Sequence, residues 1–187
     1  MHEIEGIIRL KRGDIDGMRV LVAVHSLKAL RTAYLITGDR HLAEDVVQDA
    51  FIRAAKRIGS FDVNRPFGPW FLRIVAREAI DALQRTSTPG DARGTDMDDV
   101  LRGLPDLTPG PEEMLELQEV RGEVWTALGE LSAKQRAAVV MRYYLDLSED
   151  EMARELNVAP GTVKSRLHVA RHRLRALLRP SFFGEVK

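Results

Sequence analysis

The sequence predicts an all-α protein: two small helical bundle domains joined by an acidic flexible linker, the C-terminal one containing a helix-turn-helix. Three observations carry this. Apolar residues recur at steps of three and four through the structured stretches, and no strand is needed anywhere. Residues 87–111 interrupt that pattern with Pro89, Gly90, Gly94, Gly103, Pro105, Pro109, Gly110 and Pro111. The stretch LSEDEMARELNVAPGTVKSRLHVARHRLRALL, residues 147–178, sets two helix starts on either side of a short turn. A chain of 187 residues suffices for two small domains, read here as 1–86 and 112–187.

From the N-terminus, IEGIIRLK (4–11) is a short amphipathic segment that ends at Gly13. Asp14 can cap a longer helix bearing Met18, Leu21, Val22, Leu30 and Tyr34 inward, which Gly38 stops. Asp39 opens the clearest amphipathic helix, with Leu42, Val46, Val47, Ala50, Phe51, Ala54 and Ile58 on one side. On its other side Asp45, Gln48, Asp49 and Ile52 are neighbours. Spacing leaves three accounts of that surface: a solvated helix face, a docking site for a protein with a basic helix, or a carboxylate metal site from Glu44, Asp45 and Asp49. The metal account is the weakest, because no histidine or second acidic motif converges there.

Gly59 to Gly68 reads as a loop, and Pro69 as the start of a helix with Trp70, Phe71, Ile74, Val75, Ile80 and Leu83 inward. Arg73, Arg77 and Arg85 lie outward, with Asp81 spaced to pair with Arg77 and Arg85. Phe61, Phe67, Trp70 and Phe71 gather beside these arginines. Aromatics next to cations suit unstacked single-stranded bases, and core packing is the competing use for each ring.

From Ser87 to Glu119 there are nine acids and two arginines, a composition expected to have no fold of its own. Pro111 then begins a helix with Leu117, Val120, Val124 and Leu128. Ser132 with Gln135 forms a capping box opening a helix that carries Ala138, Val139, Met141 and Tyr144. A second capping box, Ser148 with Glu151, starts the helix that turns Met152, Ala153 and Leu156 inward. Asn157 tolerates the left-handed turn, and Pro160 starts the last helix. Val163, Leu167, Ala170, Leu174 and Leu177 form its expected buried stripe. Thr162, Lys164, Ser165, Arg166, His168, Arg171 and Arg175 are left to face outward. Short hydrogen-bonding groups and cations near the helix start, with arginines further on, match a helix that reads base edges and grips phosphates in a major groove. From Pro160 onward seven Lys or Arg stand against a single acid, Glu185.

Lys plus Arg equals Asp plus Glu at 28 each, so affinity for a polyanion has to come from segregated charge. The chain has no cysteine, which removes disulfides and thiolate metal sites and fits a reducing cytoplasm. His168 and His172 are the one histidine pair at i, i+4 spacing, and they sit among arginines, so no metal or cofactor is expected. No apolar run is read as long enough for a membrane span, and the N-terminus lacks a secretory layout; the expectation is a cytoplasmic protein without membrane contact.

Four stretches in order, AEDVVQDAFIRAAKRI (43–58), PWFLRIVAREAIDALQR (69–85), LSAKQRAAVVMRYYLDLSEDEMARELNV (131–158) and PGTVKSRLHVARHRLRALL (160–178), resemble the extracytoplasmic-function class of bacterial sigma factors. The resemblance implies a first domain that grips core RNA polymerase and captures the melted minus-10 element, and a second that reads minus-35 promoter DNA as duplex. It implies polymerase docking by Asp45, Gln48, Asp49 and Ile52, and a base-holding loop from Phe61 to Phe67. It places Arg73, Arg77 and Arg85 along the single strand, and Thr162, Lys164, Ser165, Arg166, His168 and Arg171 at the minus-35 groove. The acidic linker is implied to thread the polymerase channel, and an anti-sigma factor is an implied partner. Two positions depart from the family pattern: Glu78, where Asn is common, puts an acid in the helix facing the minus-10 strand, and Val169, often Arg or Lys, lacks a phosphate contact. The competing readings are a stand-alone helix-turn-helix regulator that binds an operator without polymerase, and a metal-dependent nucleic-acid enzyme built on Glu44, Asp45 and Asp49.

Overall fold

The structure, a computed structural model, describes residues 2–85 and 111–179, with side-chain surroundings for 3–85 and 120–179. The acidic linker and the residues after Arg179 lie outside the described parts, as do the side-chain surroundings of Leu117. Every regular element among the described residues is helical, and the chain divides into two compact units, Met1–Leu101 and Arg102–Lys187.

In the first unit α1 (His2–Lys11), α2 (Gly17–Thr37), α3 (Arg40–Arg57) and α4 (Phe67–Arg85) pack as a bundle, with α2 against each of the other three. Helix α1 lies close on the start of α2 because two glycines meet: a Cβ on Gly17 would collide with the carbonyl of Gly6. The turn between them differs from the expected Asp14 cap. Helix α2 starts at Gly17, while Asp14 accepts from the Asp16 amide at 3.0 Å and pairs with Arg9 at 2.7 Å, so its carboxylate closes the turn itself. Arg9 holds that carboxyl below its ordinary range. Gly38, at φ 74°, ends α2, and the Asp39 side chain caps α3 by accepting from Leu42 N at 2.9 Å.

The core of this unit is Leu21, Ala29, Ala33, Tyr34 and Ile36 of α2 against Val46, Ala50, Phe51 and Ala54 of α3 and Phe71, Val75, Ala76 and Ala79 of α4. Val22 is not part of it; 38% of its surface is open, because the α2 residues facing the other helices are Leu21, Ala29 and Ala33. Helix α2, 21 residues long with an 18-residue window of mean hydropathy 1.3, meets the size and composition of a membrane span by those two measures alone, which corrects the sequence expectation that no run is long enough. It packs here as the central helix of the bundle, with Arg31 and Thr32 buried in it.

In the second unit α5 (Pro111–Gly129), α6 (Ala133–Val139), α7 (Glu149–Leu156) and α8 (Pro160–Leu177) enclose Leu128, Leu131, Ala138, Met141, Met152, Val163 and Leu167. Both capping boxes form. After α6 the chain passes through one π-turn, Val140–Tyr144, which sequence periodicity did not foretell; it leaves Tyr144 39% exposed rather than inward. The buried stripe of α8 ends at Ala170. Leu174 is half-buried and Leu177 is 47% exposed, lining a cleft with Gly122, Glu123, Thr126 and Ala127 of α5, to which Arg179 pairs through Glu123 at 2.8 Å.

Candidate nucleic-acid and partner interfaces

Burying Val46, Val47, Ala50, Phe51 and Ala54 fixes the rotation of α3, and that rotation turns Asp45, Gln48, Asp49 and Ile52 outward. All four are exposed, Ile52 at 54%. At i, i+3, i+4 and i+7 they form one strip with two carboxylates, an amide and a branched apolar side chain, the composition of a docking surface rather than a ligand cage. Among the described residues no cluster of His, Cys, Asp and Glu could hold a metal ion.

Just behind this strip lies a feature that spacing missed. Glu78 does not face solvent: it is 1% exposed, on the side of α4 turned to α3, with Arg53 Nε 2.6 Å from its carboxylate. The approach is off the line of a good hydrogen bond, so the contact is chiefly an ion pair. Burial pushes the Glu78 carboxyl above its ordinary range; Arg53 opposes this, and Asp81 and Asp49 add to it. The expectation of an acid repelling the minus-10 strand is therefore corrected, because α4 packs that position against α3.

The aromatic cluster is ordered as a stack of edges and faces. Phe61 meets Phe67 at 5.6 Å and Trp70 at 4.9 Å, Phe67 lies 5.6 Å from Phe71, and His25 sits 5.2 Å from Phe67. Phe61 and Phe67 are 3% and 1% exposed, so in this conformation they brace the loop instead of offering open faces to bases. Helix α4 begins two residues early, at Phe67, because burying that ring anchors the first turn ahead of Pro69. The loop before it is held by Asp62, which accepts from the Asn64 amide at 3.0 Å and from its side chain at 3.1 Å.

What remains open is a cavity of about 450 Å³ walled by Phe61, Asp62, Arg65, Pro69, Trp70 and Arg73. Of these, Asp62 and Arg65 were not singled out from the sequence; the Asx-turn pattern Asp-Val-Asn was the available signal. From the cavity the cations continue along α4: Arg73 and Arg77 are half-buried, Arg77 pairs with Asp81 at 3.2 Å, and Arg85 is exposed.

In the second unit Ser148 Oγ accepts from Glu151 N at 3.3 Å and Glu151 returns the bond to Ser148 N at 2.9 Å, fixing the start of α7. Asn157 adopts φ 51°, and Pro160 opens α8. Burial of Val163, Leu167 and Ala170 then sends Lys164, Ser165, His168 and Arg171 outward, all exposed, with Thr162 and Arg166 half-buried beside them. Arg171 Nε donates to Leu167 O at 3.3 Å, and Lys164 reaches Glu149 at 4.0 Å. The six predicted groups thus lie outside the buried stripe, with Lys164, Ser165, His168 and Arg171 on the open side of the helix and Thr162 and Arg166 toward the stripe's other flank. Val169 is 44% exposed.

Comparison with known proteins identifies the family. Residues 21–88 match the sigma-70 region 2 family and residues 121–174 match sigma-70 region 4. The ECF RNA polymerase sigma factor SigW of Bacillus subtilis is 32% identical over 92% of this chain and 95% of its own length. The ECF RNA polymerase sigma factor SigL of Mycobacterium tuberculosis is 34% identical over 86% of this chain and 88% of its own. Among solved structures, the sigma factor RpoE of Bartonella quintana, determined with the anti-sigma factor NepR, aligns with TM-score 0.56 and 27% identity over 81% of this chain and 90% of that one. CnrH, determined with the cytosolic domain of CnrY, aligns with TM-score 0.56 and 25% identity over 95% and 97%. Two regions of one family, in the same order and over nearly the full length of its members, leave a single assignment: this chain belongs to the ECF RNA polymerase sigma factors.

Proposed function

We propose that the chain binds core RNA polymerase, directs it to a class of promoters and promotes DNA opening, working in the cytoplasm by binding alone and without catalysis of its own. Residues 1–86 dock on polymerase through Asp45, Gln48, Asp49 and Ile52 and capture the minus-10 strand. Residues 112–187 read minus-35 duplex through Thr162, Lys164, Ser165, Arg166, His168 and Arg171.

The observation that carries this reading is the separation of surfaces by charge. An acidic strip on α3, a cavity edged by aromatics and arginines at the start of α4, and a basic face on α8 each project from helices whose opposite sides are core. A cavity with an aromatic wall, a guanidinium from Arg73 and a carboxylate from Asp62 suits one unstacked base. Phe61 and Phe67 serve it as floor and brace, and Arg73, Arg77 and Arg85 carry the strand's phosphates away from it. Trapping an extruded base shifts the melting equilibrium by the excess affinity for the open strand. An anti-sigma factor is the further partner, as in the solved relative bound to NepR.

In vitro transcription with purified core polymerase over a library of start sites tests the function. Specific initiation dependent on this chain is the expected result. Core enzyme whose start-site choice is indifferent to the chain, or tight operator binding that needs no polymerase, would refute it.

A further inference from the structure

Arg53 stands on α3 where the acidic strip meets the core. It follows Asp49 by four residues, and an acid four positions ahead of an arginine is the favoured order for an ion pair along a helix. Arg53 does not make that pair. Its guanidinium lies 2.6 Å from the Glu78 carboxylate of α4, and no ion pair among the described residues reaches Asp49.

Burial sets this choice. Glu78 is 1% exposed, whereas Asp49 is open to water. A buried carboxylate has no solvent in place of a lost partner, so a cation within reach stabilises it more than it stabilises a hydrated one. The three groups form one cluster, since the charge of Asp49 is felt at Glu78. Arg53 is 41% exposed at its side chain, so its guanidinium is not locked into the core.

The other charges nearby leave Asp49 without a cation of its own. On α3, Asp45 is one turn before it, Glu44 is paired with Arg40 at 3.1 Å, and Lys56 stands seven residues on, about 10 Å along the axis. On α4, Asp81 is paired with Arg77 at 3.2 Å, and Arg85 lies in the last turn, where its charge acts on Glu78. With Arg53 committed to Glu78, the strip presents the charges of both Asp45 and Asp49.

We infer that Glu78 is a positioning residue for partner docking: by drawing the Arg53 guanidinium toward α4, it withholds from Asp49 the cation that would neutralise it and keeps the acidic strip open to a basic partner surface. The inference rests on the proposed docking of polymerase at Asp45, Gln48, Asp49 and Ile52. Glu78 is buried and needs no contact with polymerase or DNA to act in this way.

Biolayer interferometry with the full chain and purified core RNA polymerase tests the role. Glu78→Gln removes the buried charge and frees Arg53 to turn to Asp49; binding is expected to weaken about fivefold, the effect of one surface ion pair. Arg53→Gln combined with Glu78→Gln also removes the freed cation, and is expected to bind within about twofold of the native chain. In an Asp49→Asn background, Glu78→Gln is expected to change affinity by less than about twofold, because the group it protects is already uncharged. A role in packing alone gives a different pattern, since the double substitution alters the contact between α3 and α4 more than the single one does.

Native affinity in Glu78→Gln overturns the inference. So does a double variant as weak as Glu78→Gln, or a fivefold loss that persists in the Asp49→Asn background. Asp49→Arg distinguishes these failures from failure of the docking reading. If Asp49→Arg abolishes binding while Glu78→Gln binds as the native chain does, only the role of Glu78 is lost. If Asp49→Arg binds undiminished, the docking face is lost and the role of Glu78 falls with it.

Discussion

Replacing either partner of the Arg53–Glu78 pair separates two descriptions of the first unit. Glu78 is 2% exposed at its side chain and Arg53 41%, so the two ends of the pair are not equivalent. In Arg53→Ala the carboxylate stays buried with its cation gone and with Asp49 and Asp81 nearby. Removing one member of a buried pair costs about 3–5 kcal/mol, and Arg53's access to solvent puts this case at the low end, about 3. Glu78→Gln instead leaves a half-exposed guanidinium that water can solvate and a neutral isostere where burial disfavours charge, so its stability should stay within about 1 kcal/mol of the native chain.

The pH dependence has a fixed sign. Glu78's folded pKa is raised above the ordinary carboxylate range by burial, so the folded state holds the proton more tightly than the unfolded one, and stability falls as pH rises from the ordinary value to the raised one. Without Arg53 the carboxyl moves further up, so the Arg53→Ala deficit should be largest near about pH 7.5 and should shrink toward about pH 5. Urea titrations at both pH values, followed through Trp70, measure this. Equal losses in Arg53→Ala and Glu78→Gln, or an Arg53→Ala deficit independent of pH, would show that the pair acts only as packing.

Three further outcomes follow from the surfaces. Asp49→Arg inverts the charge at the centre of the α3 strip on a fully solvated side, so it should abolish co-purification with core polymerase while the melting temperature stays within about 2 °C of the native value. Lys164→Ala with Arg166→Ala removes two phosphate-reaching cations from α8; the slope of log affinity against log salt for minus-35 duplex should become shallower by about 2 units, measured by anisotropy. Ser148→Ala breaks the capping box at the start of α7 and should cost about 1 kcal/mol, read from the unfolding of the second unit through Trp125.

Much of this was legible in the sequence, and apart from the Asp14 turn and the π-turn at Val140–Tyr144 the parts that were not share a cause. Capping boxes at Ser132 and Ser148, the Asp39 cap, Gly38 and Asn157 are local devices, each specified by residues within about four positions, and each appears where the chain spells it. The strip on α3 and the exposed face of α8 also follow from one helix's own periodicity. What failed to read depends on a neighbouring helix. Periodicity set Glu78 toward DNA because it cannot know that Arg53 of α3 lies across from that position. Spacing left Phe61 and Phe67 open between core packing and base stacking because their partners, His25, Trp70 and Phe71, converge only after α2 and α4 have packed. Val22 and Leu177 were placed in the core by spacing and lie outside it: Val22 is 38% exposed, and Leu177 lines an open cleft with Glu123, Thr126 and Ala127 of α5.

A chain whose charges cancel in total can still bind a polyanion and a protein, and the fold explains how. The apolar side of each helix decides which of its polar residues are turned outward, so the burial of Val46, Ala50 and Phe51 is what makes α3 acidic toward a partner. The burial of Val163, Leu167 and Ala170 likewise makes the outward side of α8 basic, as the proposed reading of DNA requires. The one acid that would have weakened the cationic side of α4, Glu78, is turned inward and neutralised by an arginine from the helix beside it. That inward turn leaves Arg73, Arg77 and Arg85 with Asp81 as the single acid among them, so core packing here sets the sign of the field along the surface proposed for the single strand.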